Sequence, residues 1–390
     1  MPRTSLQRRD SATSTPPTVR QVLTSPTTLV PMLGAWLVVL LSAILHEPVF
    51  TAPFSVAPTV IAFVVVLAAI VTAAFGVVHQ AEALAKILGD PYGTLVLTLS
   101  VVVVEVILIS SVMLGPAESA TIARDSLFAV MMIILNAVMG LACLLGGLRH
   151  GHQPYNRQGS ASYLVMIIAL TSLALILPGL LGSSDGTLGT VQAIGLATIS
   201  ALLYAFFLFL QTTRHRDLYV EVETPGPAQT EPTTTTARPR AIIAVRSVLV
   251  LATVTPIVLL SHDLAILLDV GIEALGAPPV LSGILIAMIV FTPEAVTAVR
   301  AALSGEMQRT INLGLGAFVS TLGLTIPAVL VIGLLTGSSV VLAESPANML
   351  LIGVTLVLSV VSFTSPRTNA LLGAVHLAVF AMFVVTVFTP

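Results

Sequence analysis

Long, unbroken apolar runs separated by short polar stretches fill the chain from about residue 28 onward. Runs of 18 or more apolar residues predict membrane-spanning helices, because in lipid only helices or closed barrels satisfy every backbone group. These runs are continuously apolar rather than alternating, which excludes a barrel. Hydropathy places spans near 28–46, 54–78, 93–114, 126–148, 162–182, 190–211, 241–261, 280–302, 311–336, 346–363 and 369–388, about eleven helices, with the last two divided at Ser365-Pro366-Arg367. Two further segments, 79–90 (HQAEALAKILGD) and 263–276 (DLAILLDVGIEALG), are amphipathic and are expected to lie along a membrane interface.

The order of elements that starts at the second span starts again at the seventh: a helix, an amphipathic stretch ending in Gly, a helix bearing a carboxylate, then three more helices. AKILGDPYGTLVLTLSVVVVEV and IEALGAPPVLSGILIAMIVFTPEA are the corresponding passages. A shift of five spans is odd, so the second set must lie upside down relative to the first, and inverted repeats place a shared ion site near the bilayer midplane. The expected fold is an all-α membrane protein of two inverted five-helix repeats plus one extra N-terminal helix. Its divisions are a disordered tail (1–27), the extra helix (28–53), a first repeat (54–211), a linker (212–240) and a second repeat (241–390).

Composition narrows the class. Hydrophobic residues make up 56% of the chain and charged residues 9%, with a mean hydropathy of +1.03, against about 25% charged in soluble domains. With the N-terminus in the cytoplasm, every basic residue except Arg124 falls on the cytoplasmic side, a strong positive-inside pattern that puts the C-terminus outside. A multi-pass protein of the plasma (inner) membrane is expected. The Ser-, Thr- and Pro-rich tail lacks the early apolar core of a signal peptide and reads as disordered rather than regulatory. The Thr- and Pro-rich stretch 217–240 reads as a tether rather than a sensing loop. Cys143 is the only cysteine, so no internal disulfide or thiolate metal cluster forms.

Glu105 and Glu294 are the costly residues, each alone inside an apolar run. A carboxylate near the bilayer centre costs about 2.5–3.5 kcal/mol on insertion scales, so it faces a cavity, a partner or an ion. Glu105 lies about 12 residues, or roughly 18 Å, into its span from one surface, and Glu294 lies a similar distance from the other. Neither span offers Lys or Arg at that depth, which leaves a proton or a bound cation as the counter-charge. Two carboxylates sharing one site are neutralised by one divalent ion or by two protons. That mutual exclusion is the physical basis of antiport.

Calcium takes six to eight oxygens, more than two glutamates supply. Asn136 and Ser320, at comparable depth in the spans that follow, are the candidate additional donors. Ser100 and Thr292 lie within about a turn of each glutamate, although a hydroxyl in a helix more often bonds back to a carbonyl, and Asn136 has interhelical packing as its simpler role. Pro293 lacks an N–H and frees the carbonyl four residues back. Glycines cluster in the fourth span (Gly140, Gly146, Gly147) and the ninth (Gly314, Gly316, Gly323), as close helix packing requires. His79, His262 and His376 read as interfacial. The chain carries no phosphate-binding loop, HExxH or nucleophile elbow, so an enzyme, a resident cofactor and a nucleic-acid partner are not expected. Lipid, inorganic cations and protons are the expected partners, and a homo-oligomer is left open. A cation channel using the same carboxylates is the rival from another class; channels usually build filters from rings of several subunits.

Several segments carry a resemblance: DPYGTLVLTLSVVVVEV, ARDSLFAVMMIILNAVMGLACLLGGLRH, FLQTTRHRDLY, and APPVLSGILIAMIVFTPEAVTAVRAAL followed by QRTINLGLGAFVSTLGLTIPAV. Over about residues 30–388, outside the tail and linker, the chain resembles the calcium/cation antiporter superfamily, and within it the bacterial calcium/proton (sodium-potassium/proton) antiporters of ChaA type. The resemblance implies a secondary antiporter exporting Ca2+, or Na+ and K+, in exchange for H+, with Glu105 and Glu294 as the acidic pair and Asn136 and Ser320 as the polar positions of the following helices. Many calcium/proton exchangers carry a Gly-Asn pair just before the first glutamate. Val101 to Val104 stand there instead, which puts a monovalent-only Na+(K+)/H+ exchange beside calcium.

Overall fold

The computed structural model describes residues 18–45, 56–89, 92–115, 120–181, 186–219 and 240–388. The first 17 residues and linker positions 220–239 lie outside the described residues. Eleven helices in the described residues are long and apolar enough to cross a membrane: α1 (Pro26–Ile44), α2 (Val56–Leu88), α3 (Tyr92–Met113), α4 (Ile122–His150), α5 (Arg157–Leu180), α6 (Thr190–Thr212), α7 (Arg240–Leu275), α8 (Val280–Leu303), α9 (Met307–Thr336), α10 (Pro346–Phe363) and α11 (Ala370–Phe388). The division between α10 and α11 falls where the Ser-Pro-Arg sequence places it. The end of the tail is ordered: Val19–Thr24 is a short helix whose capping box joins Thr18 and Gln21, with Val22 buried.

The expectation of two interfacial stretches is corrected. Residues 79–88 and 263–275 continue α2 and α7 without a break. Nothing in either stretch stops a helix until Gly89 and Gly276, whose positive φ (66° and 57°) ends it at no steric cost. Their apolar faces bury Ala81 and Leu84, and Leu264, Ala265, Leu267 and Leu268, against neighbouring helices. The amphipathic pattern therefore marks a protein contact rather than a lipid headgroup contact.

Packing brings counterpart helices together head to tail. Gln80, late in α2, accepts a 2.7 Å bond from Arg246, early in α7, so these two long helices run antiparallel. The loop before α5 pairs with the loop after α10 (Gln153 with Thr368, Pro154 with Arg367), while the loop after α5 bridges the loop before α10 (Thr187 with Val341). Hence α5 and α10 also run antiparallel, the relation an inverted repeat requires. The helix outside the repeat straps α2 to α7: Gln80 donates to Thr28 at 2.7 Å, Trp36 Nε1 donates to the Ala252 carbonyl at 3.0 Å, and Ser42 bonds Asp263. Elsewhere α4 packs tightly on α11. A Cβ on Gly373 would stand 2.3 Å from the Leu144 nitrogen and 2.4 Å from the Gly140 carbonyl oxygen.

Among the described residues three π-turns interrupt the spans, at Met132–Val138 in α4, Ser172–Ile176 in α5 and Thr321–Thr325 in α9. Each widens the helix locally and rotates the residues beyond it, a distortion frequent at functional sites. The first and third occupy comparable places in counterpart helices.

One end of the bundle is closed by the loop between α9 and α10. Val341 N donates to Ala120 O (2.9 Å) and Glu344 N to Leu175 O (3.0 Å). Arg124, at the start of α4, pairs with Asp125 (2.8 Å), donates to Ala343 O (3.1 Å) and lies 3.9 Å from Glu344. Glu344 is buried and accepts from Asn348 at 2.8 Å.

Two expectations follow. Gly373→Ala forces α4 and α11 apart and should cost about 1–3 kcal/mol or more, seen as a lower melting temperature in detergent. Burial, opposed by Asn348 and Arg124, pushes the Glu344 carboxyl from its ordinary 4.5 up to about 7. Its folded value lies above its unfolded one, so the acid form stabilises the packed loop. That contribution is present below about 4.5 and lost as pH rises through about 7. Thermal melts across this range should show the wild type losing stability relative to Glu344→Gln; parallel pH profiles would contradict the assignment.

Candidate ion-binding site

Glu105 sits in the middle of α3 with 1% of its surface exposed. Its Oε2 accepts two hydrogen bonds from the π-turn of α9, from Thr321 Oγ1 at 2.9 Å and Thr325 Oγ1 at 3.0 Å, while its Oε1 is buried without a partner among the described residues. A helix advances about 100° per residue, so Thr321 and Thr325, four apart, share one face. The adjacent Ser320 turns away and donates to the Ala317 carbonyl at 2.6 Å.

Glu294, in α8, is the contrasting member of the pair. Both of its carboxylate oxygens are covered and unpartnered among the described residues. The residue lines a cavity of about 350 Å³ whose walls include Glu82 of α2, Thr98 of α3, Thr297 of α8 and Asn312 of α9. The cavity reaches Arg216 and Tyr219 beyond α6 and Arg309 at the start of α9. The helix that carries Glu105, α3, packs against α8. One wall is aromatic: Tyr163 lies 5.5 Å from Phe207 and 5.1 Å from Tyr219 between ring centroids, with Gln211 donating to the Tyr163 hydroxyl at 2.7 Å. The covered carboxylate oxygens of Glu294 beside this chamber call for a proton or a small cation as their counter-charge.

The structure places the remaining expected donors elsewhere. Asn136 is spent on a different network: its Nδ2 donates to Thr355 at 2.9 Å and its Oδ1 lies 3.1 Å from His376 Nδ1, whose Nε2 faces Ser362 Oγ at 3.1 Å. The Asn136 amide, in the π-turn of α4, is thereby engaged by α10 and α11. Ser100 donates to Val96 O at 2.7 Å and Thr292 to Met288 O, the back-bonds that hydroxyls in helices favour. Pro293 is buried beside Glu294, and Thr297 donates to its carbonyl at 2.9 Å. His376 is fully buried and stacked on Phe363 rather than interfacial; its neighbours in α11 are apolar, which is why sequence gave it no inward signal. Thr321, Thr325 and Glu82 were not among the expected residues. A Thr pair at four-residue spacing just after Ser320 was the available signal for the first two, and the continuity of α2 was the missing one for Glu82.

Comparison with known proteins identifies the family. Relatives include y4hA of Sinorhizobium fredii (strain NBRC 101917 / NGR234), 38% identical over 313 residues, 80% of this chain and 84% of that protein. The sodium-potassium/proton antiporter ChaA of Escherichia coli (strain K12) is 35% identical over 327 residues, 83% of this chain and 87% of that one. Among solved structures the fold is similar to native YfkE (TM-score 0.71, 17% identity, 93% of this chain and 100% of that one) and to the H+/Ca2+ exchanger CAX (TM-score 0.64, 12% identity, 91% and 87%). The model of the sodium/calcium exchanger protein family matches residues 58–213, covering α2 to α6, and again 246–389, covering α7 to α11. With matches across most of its length, this multi-span membrane chain belongs to the sodium/calcium exchanger protein family, whose members are secondary transporters rather than enzymes.

Proposed function

We propose that this protein is a secondary antiporter that exports a cytoplasmic cation in exchange for protons, with Glu105 and Glu294 binding cation and protons in turn. The observation that carries the reading is three covered carboxylate oxygens without a partner among the described residues, one on Glu105 and two on Glu294, with Glu294 lining a chamber that reaches one face of the bundle. That face carries Arg216, Arg309 and the linker ends, so the positive-inside pattern supports a cytoplasmic mouth and a cytoplasmic N-terminus. Unpaired buried carboxylates are costly as anions. Each must take up a proton or share a cation, and one ligand leaves as the other arrives.

In this reading the two glutamates play different parts. Hydroxyls of Thr321 and Thr325 fix Glu105, so its Oε1 is presented to the site in one orientation. Glu294 has no such tether and faces the chamber, where Glu82 supplies a further negative charge along the access route. A cation drawn from the chamber meets Glu82 first and reaches Glu294 and then Glu105. Protons from the opposite side neutralise the same oxygens and release it.

The choice of cation follows from oxygen supply. Calcium would need six to eight donors. Glu105 Oε1, the two oxygens of Glu294 and water must provide most of them, because the Asn136 amide is engaged by Thr355 and His376. This shortage favours sodium or potassium beside calcium, and the sodium-potassium/proton activity named for the E. coli relative supports that reading.

Glu105→Gln or Glu294→Gln keeps side-chain volume and removes a charge. Each should abolish cation-driven dissipation of a pH gradient in everted vesicles, and wild-type exchange by either variant would overturn the assignment. In the same vesicles, titrated separately with calcium, sodium and potassium, apparent affinity should weaken as pH falls, because protons compete for the same oxygens. Thr321→Val leaves Glu105 with one hydroxyl partner; a lost bond to a buried carboxylate costs about 1–3 kcal/mol, read as lower thermal stability and an altered pH profile of exchange. Glu82→Gln lies on the route rather than in the site, so it should raise the KM for the cation several-fold while the maximal rate changes little.

A further inference from the structure

The two ends of the bundle are built from corresponding residues but stand in different states. Arg309 is the third residue of α9 and Arg124 the third of α4. Asn312 and Leu127 are the sixth residues of the same helices. Glu82 and Asp269 each stand seven positions before the positive-φ glycine that ends α2 or α7. The pairing extends to Glu294 and Glu105, the carboxylates of α8 and α3. At one end Glu82, Arg309, Asn312 and Glu294 line the chamber, and Arg309 bonds Glu306 at a half-exposed position, 2.9 Å apart. At the other end Leu127 and Glu105 are buried, and Arg124 is held by Asp125, by the Ala343 carbonyl and near Glu344.

The seal at that end is specific. Arg124 comes from the first repeat, whereas Ala343 and Glu344 belong to the loop between α9 and α10 in the second. The same loop is tied through Val341 to Ala120 and Thr187 and through Glu344 to Leu175. Gly283 of α8 packs so closely on the start of α4 that a Cβ there would lie 2.7 Å from the Ser126 nitrogen. Arg124 is also the basic residue that the positive-inside pattern leaves on the far side, where no orientation signal requires it. A cation retained there, bonded across the repeat boundary, has a positional role.

We propose that Arg124 is a positioning residue for exchange: it clasps shut a second vestibule, the symmetry counterpart of the chamber, through which Glu105 is reached from the opposite face. Opening that vestibule requires Arg124 to release Ala343 and Asp125, and in the opposite state Arg309 closes the chamber end as Arg124 now closes the other. The inference rests on the antiport reading, and its test reads access rather than ion flux, so failure of one is distinguishable from failure of the other.

The test places a single cysteine at Leu127, counterpart of the chamber-lining Asn312, in a Cys143→Ala background, and follows its labelling by a charged, membrane-impermeant maleimide applied from the far side of sealed vesicles. Arg124→Gln should speed labelling about tenfold over the single-cysteine parent. Arg309→Gln, which weakens the clasp of the alternative state, should slow it or leave it unchanged. Generalised loosening of the fold would accelerate both, so acceleration in both variants, or no acceleration with Arg124→Gln, overturns the proposal.

Discussion

A carboxylate inside an apolar bundle must find hydrogen-bond donors, a counter-ion or a proton, and the rest of this structure answers to that demand. Glu105 obtains two hydroxyls from across the repeat boundary, since Thr321 and Thr325 belong to the second repeat and Glu105 to the first. Those bonds join the halves at the place where the chain is least able to tolerate an unpaired charge. Glu294 has no equivalent pair of donors among the described residues and instead meets a chamber with room for water. The helices around them are distorted accordingly, with π-turns where side chains must be re-aimed and glycines where backbones must approach.

Most of the architecture was legible because a span announces itself through length and apolarity, two properties that neighbours do not alter. The proline-containing break between α10 and α11 and the lone glutamates belong to this class. What was not legible depended on facing direction. A π-turn adds a fraction of a turn to the register, so Ser320, placed in the site by simple counting, yields to Thr321, and Asn136 swings toward Thr355 and His376. The stretches 79–90 and 263–276 misled for a related reason: an apolar stripe looks the same whether it meets lipid headgroups or another helix, and only the partner distinguishes them. Glu82 was passed over with its segment, since a charged residue on a surface helix needs no explanation, whereas the same residue in a continuous span lines a chamber.

The short strand pairings outside the membrane-spanning parts carry more information than their size suggests. The pairing of Gln153 and Pro154 with Thr368 and Arg367 joins the loop before α5 to the loop after α10, and the bridge from Thr187 to Val341 joins the loop after α5 to the loop before α10, so each pairing is the counterpart of the other at the opposite end. They fix the relative direction of α5 and α10 independently of any hydropathy argument. They also tether loops of the two repeats to each other at both ends.

An ideal two-fold axis would make the two access states equal in energy, because each would be the rotated image of the other. The strap formed by α1 has no rotated image: its contacts from Thr28, Trp36 and Ser42 to α2 and α7 exist once. Any difference in how well those contacts survive in the two states biases the resting population, by about tenfold for each 1.4 kcal/mol. If the proposed exchange holds, an appended helix with such unrepeated contacts would bias which door stands open when no ion is bound.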